Sequence, residues 1–159
     1  MKDIILGQGV EDIVFGMTRD EVLQKLGEPI KVSKESYTSS KTEDLYENWF
    51  YDHSRIWLSF DQSENYKLTT IAVNGSEYTV FNTKLMGLSK SEVISFLTNY
   101  DIGLFEEEDF STDLMSNELL TYDDASLNLW FENQRLYEIQ FSPFWLDNEN
   151  EKWPKIRRD

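Results

Sequence analysis

The sequence GMTRDEV at residues 16–22 returns 71 positions later as GLSKSEV at residues 87–93. The same offset relates IWLSF at residues 56–60 to LNLWF at residues 127–131. Two separated blocks that share one offset are hard to produce by chance, and self-similarity at a fixed period is the signature of a repeated structural unit. We therefore predict that the chain contains two tandem copies of one unit.

Each copy opens with a capping box, formed by Thr18 and Glu21 in the first copy and by Ser89 and Glu92 in the second. In a capping box, the hydroxyl and the carboxylate accept hydrogen bonds from backbone N–H groups that the first helical turn leaves unpaired. Apolar residues then recur at the spacing of a short helix that is packed on one side. We predict a helix after each box, the first ending at Gly27 because glycine favours helix C-termini.

A three-stranded antiparallel meander is predicted in the second part of each copy, after a long polar loop. The predicted strands are residues 49–51, 56–60 and 69–73 in the first copy and residues 119–122, 127–131 and 135–141 in the second. One unit of roughly 60 residues would bury only a marginal core, so the two copies should share one. We predict an α+β fold, in which two tandem helix-plus-antiparallel-meander repeats form one domain with the helices on one face of the sheet.

The predicted single domain covers residues 1–159, with repeat one at about 13–74 and repeat two at about 85–142. The segment that joins the repeats is expected to pack, or to form a further strand, around Tyr78. The C-terminal tail, residues 147–159, is polar, and we expect it to be frayed.

Charge limits the kinds of partner that this chain can bind. The 159 residues are 40% apolar and 14% aromatic, enough to fill the core of one globular domain. They include 30 acidic and 15 basic residues, for a net charge of -15. Such a charge repels phosphate backbones and anionic membranes, so we expect no nucleic-acid and no membrane partner. A basic protein is the natural complement.

Motifs for catalysis and for export are missing from the sequence. There is no cysteine, no P-loop and no G-x-S-x-G pattern, and Asp52 with His53 does not match a metal-site spacing. We therefore expect a protein that is not an enzyme and that has no cofactor, no metal and no small-molecule ligand. The N-terminus has no apolar stretch of the length that a signal peptide needs, which favours a cytoplasmic protein.

Two tryptophans stand out in the strand pattern. If the aliphatic residues of 56–60 and 127–131 face the core, Trp57 and Trp130 face the opposite side of the sheet, where Glu138 also lies. Tryptophan is enriched at protein interfaces, so we predict that these three residues bind a partner. The alternative is that the joining segment or the C-terminal residues cover this face and make both tryptophans ordinary core.

Acidic residues are concentrated in the second half of the chain. Residues 81–150 contain 14 acidic and 3 basic residues, whereas residues 1–80 contain 14 and 8. An acidic loop beside aromatic residues would steer a basic partner toward the protein. The alternative is a solvated loop that serves solubility. The residues of this loop that we predict to contact the partner are Glu106, Glu107, Glu108, Asp109 and Asp113.

The sequence FGMTRDEV at residues 15–22, followed by LGEP at residues 26–29 and by aromatic-rich strands, resembles the repeat of the beta-lactamase inhibitory protein family and of small outer-membrane assembly lipoproteins. In those families a helical segment precedes an antiparallel sheet, and the inhibitor has two tandem copies whose single sheet grips an enzyme. This resemblance implies a two-copy sheet that binds a protein. Those families carry export signals, a lipid-accepting cysteine or disulfides, and this sequence has none of them.

In size, acidity and build, the chain also resembles the immunity proteins of bacterial toxin systems, including contact-dependent inhibition and type VI secretion. Such proteins bind a cognate toxin domain, often a basic nuclease, and block it. We therefore favour an immunity protein. Two alternatives remain: a scaffold or cell-envelope-related binding domain of the same fold, and a carboxylate-based hydrolase whose site the sequence does not reveal.

Overall fold

A computed structural model of the chain describes residues 1–145, 151–154 and 156. The fold is α+β. The elements within these residues are the helices α1 (Arg19–Leu26) and α2 (Lys90–Leu97) and the strands β1 (Lys2–Ile5), β2 (Gly9–Val10), β3 (Ile13–Val14), β4 (Lys31–Ser36), β5 (Leu45–Tyr51), β6 (Ile56–Asp61), β7 (Lys67–Val73), β8 (Tyr78–Val80), β9 (Glu106–Asp109), β10 (Asn117–Tyr122), β11 (Leu127–Glu132), β12 (Arg135–Phe141), β13 (Phe144–Trp145) and β14 (Glu151–Lys152). No helix among the described residues has the length and apolar character needed to cross a bilayer.

Both predicted helices begin at their capping boxes. The Thr18 hydroxyl accepts a hydrogen bond from the Glu21 N–H at 3.2 Å, and the Glu21 carboxylate accepts one from the Thr18 N–H at 3.1 Å. The box of Ser89 and Glu92 is closed in the same way. Helix α1 ends at Gly27, whose φ of +77° lies in the region that glycine enters without a steric penalty. The local sequence therefore predicted the helix starts and the first helix end.

One eight-stranded sheet dominates the fold, in the order β4-β5-β6-β7-β12-β11-β10-β9. The six predicted strands form its centre, and antiparallel pairing of β7 with β12 joins the two meanders. Each meander has a fourth strand that we did not predict, because β4 and β9 lie in segments that the sequence indicates as polar loops. In particular, Glu106–Asp109 is an edge strand and not a loop.

The helices and the main sheet bury their apolar residues in a single core. Leu58 on β6 and Leu129 on β11 are fully buried, as are Val22 on α1 and Val93 on α2, and all four belong to one cluster. A smaller sheet, in the order β3-β2-β1-β8, contributes to the same cluster. The expected strand around Tyr78 is β8, which pairs in parallel with β1.

The C-terminal tail departs from the expectation of fraying where it is described. Glu151–Lys152 pairs with Phe144–Trp145, and the partly buried Trp153 and Ile156 pack against the core. The burial of these two apolar side chains and the β13–β14 pairing both stabilise the docked segment. Residues 146–150, 155 and 157–159 lie outside the described residues.

Candidate partner-binding surface

Trp57 and Trp130 lie on the face of the main sheet that is opposite to the core side of β6 and β11. We call this face, which also carries Ala72, Asn128 and Gln140, the open face. These residues share it because Trp57 pairs with Ala72, Ala72 with Gln140, and Gln140 with Asn128 across neighbouring strands. Both tryptophans are partly buried. They are therefore neither fully exposed, as a binding role predicts, nor fully buried, as the alternative of an ordinary core residue predicts.

Glu138 links the two tryptophans. It lies directly across from Trp130 on the neighbouring strand, and its Oε1 accepts a hydrogen bond from Trp57 Nε1 at 3.2 Å. Burial raises the pKa of the Glu138 carboxyl, and the hydrogen bond from Trp57 partly opposes that rise. The structure therefore brings three of the predicted site residues together across β6, β12 and β11.

Replacing Glu138 by glutamine is expected to stabilise the protein at pH 7 and to have little effect near pH 4. Because the folded pKa is raised, the stability that this carboxyl contributes is fully present below its unfolded pKa and is lost as the pH rises through the folded pKa. Glutamine is neutral throughout and keeps an oxygen that can accept the Trp57 hydrogen bond. The expected rise in Tm at pH 7 is a few degrees, since about 1 kcal/mol corresponds to roughly 2–4 °C at this chain length.

Thermal unfolding of both proteins at pH 4 and pH 7 measures the effect of the Glu138→Gln substitution. A difference in Tm that is the same at both pH values would show that the ionisation of Glu138 does not destabilise the folded protein, and it would contradict the prediction.

The side chains of the acidic strand β9 alternate between the two faces of the main sheet. Glu106 and Glu108 pair with β10 residues on the open face, and Glu108 is separated from Trp130 only by Leu119. Glu107 pairs with the fully buried Leu120 and therefore lies on the opposite, helix-bearing side. The sequence treated these carboxylates as one loop, and the strand separates them onto two faces.

Glu107 has an internal partner. Its Oε1 lies 3.2 Å from Lys90 Nζ, and Lys90 also donates a hydrogen bond to Glu118 on β10. These contacts, the bond to Glu118 most strongly, raise the pKa of Lys90. Glu107 thus holds the edge strand to the first turn of α2, and this role was not predicted.

The last two predicted acidic residues lie at and beyond the end of β9. The Asp109 Oδ1 accepts a hydrogen bond from the Ser111 N–H at 2.8 Å, and the bonds from Ser111 lower the pKa of Asp109. Asp113 is exposed in the turn that leads to β10. Asp109 therefore shapes this turn.

Exposed apolar side chains gather around β9. The described residues include eleven exposed large apolar side chains, and six of them lie between residues 100 and 115. These six are Tyr100, Leu104, Phe105, Phe110, Leu114 and Met115. Leu114 is 98% exposed and Leu104 is 89% exposed, and the Phe110 ring lies 5.6 Å from the Trp130 ring. Phe105 lies beside the buried Tyr122 on the helix-bearing side, so these side chains border both faces of β9. Single exposed apolar residues are common, but their concentration in this segment makes it a candidate interaction site.

We call strand β9, Trp130 and five of these side chains (Leu104, Phe105, Phe110, Leu114 and Met115) the β9 surface. Sequence reasoning found its acidic residues and Trp130 but missed its apolar members. The signal was present, because Leu104 and Phe105 directly precede the acidic run and Phe110 directly follows it.

Trp57 lies in different surroundings from Trp130. It lines a cleft of about 760 Å³ together with Phe50, Lys31 and Arg55. The Phe50 and Trp57 ring centroids are 6.2 Å apart, and Lys31 Nζ lies 5.6 Å from the Phe50 ring. Trp57 therefore has both basic neighbours and carboxylates, Asp52 in the cleft and Glu138 at its indole N–H, and it lies on β6, away from the acidic strand β9.

An ion pair between a helix and the sheet was also missed. Arg19 at the start of α1 lies 3.1 Å from the Glu47 carboxylate on β5, which also accepts a 2.6 Å hydrogen bond from Trp49 Nε1. Glu47 is only 6% exposed. Lys90 and Glu118, each 71 positions later, form the corresponding pair in the second half.

Two carboxyl groups of the open side have raised pKa values, which bears on the hydrolase alternative. Burial raises the pKa of both Asp61 and Glu138. Asp61 lines a cleft of about 250 Å³ with Thr121 and Asn128, and Glu138 is not among the residues that line it. Among the described residues, no group of three or more metal-ligating side chains is placed to hold a metal ion.

No protein-family model matches this chain, and no curated protein matches it. One solved structure is similar over 81% of this chain and 44% of its own length, with 17% sequence identity and a TM-score of 0.44. It is the crystal structure of an extracellular protein containing a SCP domain from Bacillus anthracis str. Ames. At this TM-score the likeness is too distant to indicate a shared fold or function.

Proposed function

We propose that this chain is a non-catalytic protein-binding inhibitor, an immunity protein that neutralises a cognate bacterial toxin domain of basic charge, such as a nuclease, by direct binding. The observation that carries the proposal is the β9 surface. It combines solvent-exposed apolar side chains with the carboxylates of a strand whose outer edge has no partner among the described residues. Protein interfaces commonly have this composition, with apolar anchors at the centre and charges around them.

Electrostatics supports a basic partner. Glu106 and Glu108 are exposed on the open face near Trp130, and Asp113 is exposed in the adjoining turn. Carboxylates at the rim of an interface act mainly on the association rate, because they attract a basic surface before contact. Aromatic anchors such as Trp130 and Phe110 then supply the affinity.

We infer that the two halves are tandem copies with different surface residues. The Gly16 N–H donates to the Leu68 carbonyl at 2.9 Å, and the Gly87 N–H donates to the Leu136 carbonyl, also at 2.9 Å. Strands β6 and β11 each contain a register shift between their fourth and fifth residues. One framework used twice supports a division of labour, in which the second copy presents the β9 surface and the first contributes to the core.

The inhibitor is expected to act in the cytoplasm, where an imported nuclease would act. The test is to co-express this protein with the C-terminal domain encoded by the neighbouring reading frame, and to measure both growth and co-purification. We expect the neighbouring domain to stop growth when expressed alone, and we expect this protein to restore growth and to co-purify with it one-to-one.

A matched pair of variants separates binding from expression effects. Leu114→Ser changes the most exposed residue of the β9 surface, and Ile30→Ser changes an exposed residue at the other edge of the sheet. We expect only Leu114→Ser to weaken protection. A harmless neighbouring domain, or one that does not bind, would contradict the proposal and favour the scaffold alternative.

A further inference from the structure

Strand β9 is an unpaired edge of the main sheet. Among the described residues it pairs with β10 on one side only, and all four of its residues are exposed. An edge strand presents a row of backbone N–H and C=O groups that can pair with another strand. The opposite edge, β4, is the comparable position in the first half of the chain.

The hydrogen-bond pattern identifies which backbone groups of β9 are free. The Phe110 N–H donates to the Asn117 carbonyl at 2.8 Å. The backbone N–H and C=O of Phe110 therefore point toward β10, and the register that pairs Glu108 with Leu119 gives the backbone of Glu108 the same direction. Along an antiparallel strand, residues whose backbone groups bond to the neighbouring strand alternate with residues whose backbone groups point away from it. The N–H and C=O groups of Glu107 and Asp109 therefore point away from β10.

The chemistry around these groups selects the occupant. Four consecutive acidic residues form β9, so an acidic strand placed beside it would be repelled and a basic strand would be favoured over a neutral one. At the other edge, β4 carries Lys31 and Lys34 against the one carboxylate Glu35, so it attracts a basic strand less than β9 does. Phe110 and Leu114 extend the apolar contact beyond the end of β9.

We propose that the partner adds a strand rich in lysine or arginine to the outer edge of β9, bonding to the backbone of Glu107 and Asp109. This inference rests on the proposed function and names its binding mode. Backbone hydrogen bonds give such strand addition its affinity, and alternate side chains give it its specificity. The incoming strand would become the ninth strand of the sheet, and its basic side chains would lie beside Glu106 and Glu108.

The test uses the full chain and a fluorescein-labelled peptide of seven residues with alternating lysine and valine. Fluorescence anisotropy measures its binding at low salt to the wild-type protein and to two variants at one position. Glu107→Ala removes the carboxylate and keeps the N–H, whereas Glu107→Pro removes both. Because that N–H points outward, proline is tolerated there without the loss of a bond to β10.

We expect Glu107→Pro to weaken peptide binding at least about tenfold relative to Glu107→Ala, the size of effect that one or two lost hydrogen bonds produce. Val32→Pro on β4 should leave peptide binding unchanged. A control peptide that is methylated on alternate backbone nitrogens keeps the charge but cannot pair as a strand, and it should bind about tenfold more weakly. Circular dichroism and thermal unfolding show whether each variant is folded.

Three results would overturn strand addition: no binding of the unmodified peptide, equal binding by the proline and alanine variants, or equal binding of the methylated peptide. The last two would show that charge attraction alone is responsible. The co-expression test is independent of the peptide. Toxin neutralisation together with a negative peptide result would leave the immunity function in place and reject only this binding mode.

Discussion

Replacing Arg19 by alanine is expected to lower the free energy of unfolding by about 2 kcal/mol. The Glu47 carboxylate is buried, and its two protein partners are the Arg19 guanidinium at 3.1 Å and the Trp49 indole N–H at 2.6 Å. Without Arg19, the buried Glu47 carboxylate keeps only the neutral Trp49 indole N–H as a hydrogen-bond donor. Removal of one member of a buried ion pair costs about 3–5 kcal/mol, and the 42% exposure of the Arg19 side chain reduces this figure through solvent screening.

The second half of the chain supplies the matched control. Lys90→Ala removes the corresponding cation, but the side chains of Glu107 and Glu118 are 49% and 24% exposed and can be hydrated instead. We expect a loss below about 1 kcal/mol for Lys90→Ala and almost none for the exposed Lys25→Ala. Urea denaturation measures all three variants. If Arg19→Ala lowered the free energy of unfolding no more than Lys90→Ala does, the burial of Glu47 would not explain the stability that Arg19 contributes.

If the proposed toxin partner binds this chain, replacing Trp130 by alanine is expected to weaken that binding by about 2–4 kcal/mol, or roughly 30- to 1000-fold in Kd. Trp130 lies beside Phe110 and is separated from Glu108 by Leu119, so it forms the inner side of the β9 surface. A large aromatic anchor in such a position loses its contact area when truncated, and it also exposes its neighbours to water. Titration calorimetry with the purified toxin domain measures the change.

Trp57→Ala is the control for this prediction, because Trp57 is a partly buried tryptophan on the same open face but lies on β6, outside the β9 surface. Strand β6 lies three strands from β11 in the main sheet, so Trp57 is distant from the β9 surface. We expect Trp57→Ala to change Kd by less than about tenfold. Comparable losses from both variants would mean that the whole open face binds, and unchanged binding by Trp130→Ala would remove Trp130 from the interface. Thermal unfolding of each variant shows whether an effect on Kd reflects lost structure.

The features of the fold that were predictable are those written in short stretches of sequence. Each capping box, Thr18 with Glu21 and Ser89 with Glu92, pairs the backbone N–H groups at its helix start using residues only three positions apart. No distant contact is needed to identify these helix starts. The six central strands were predictable because one of their faces is buried, which imposes alternation on the sequence. The edge strands β4 and β9 have no such imprint, because most of their side chains remain exposed.

The candidate surface was predictable only in part, for the same reason. Trp130 and the acidic run were visible in the sequence, but the role of each carboxylate depends on the face to which β9 assigns it. Glu107 binds Lys90, which is distant in sequence, whereas Glu108 faces the side of Trp130. No local pattern distinguishes these two neighbouring glutamates.

The sequence by itself determined the helix starts, the central strands, the repetition at an offset of 71 and the strong acidity, because each of these depends on neighbouring residues or on simple periodicity. The tertiary structure alone decided that Glu106–Asp109 is an edge strand, that Glu47 is buried against Arg19, and that Glu138 lies between Trp57 and Trp130. These features arise from pairing between segments far apart in the chain. Such pairing is set by the packing of the whole sheet and leaves no signal in the residues of one segment.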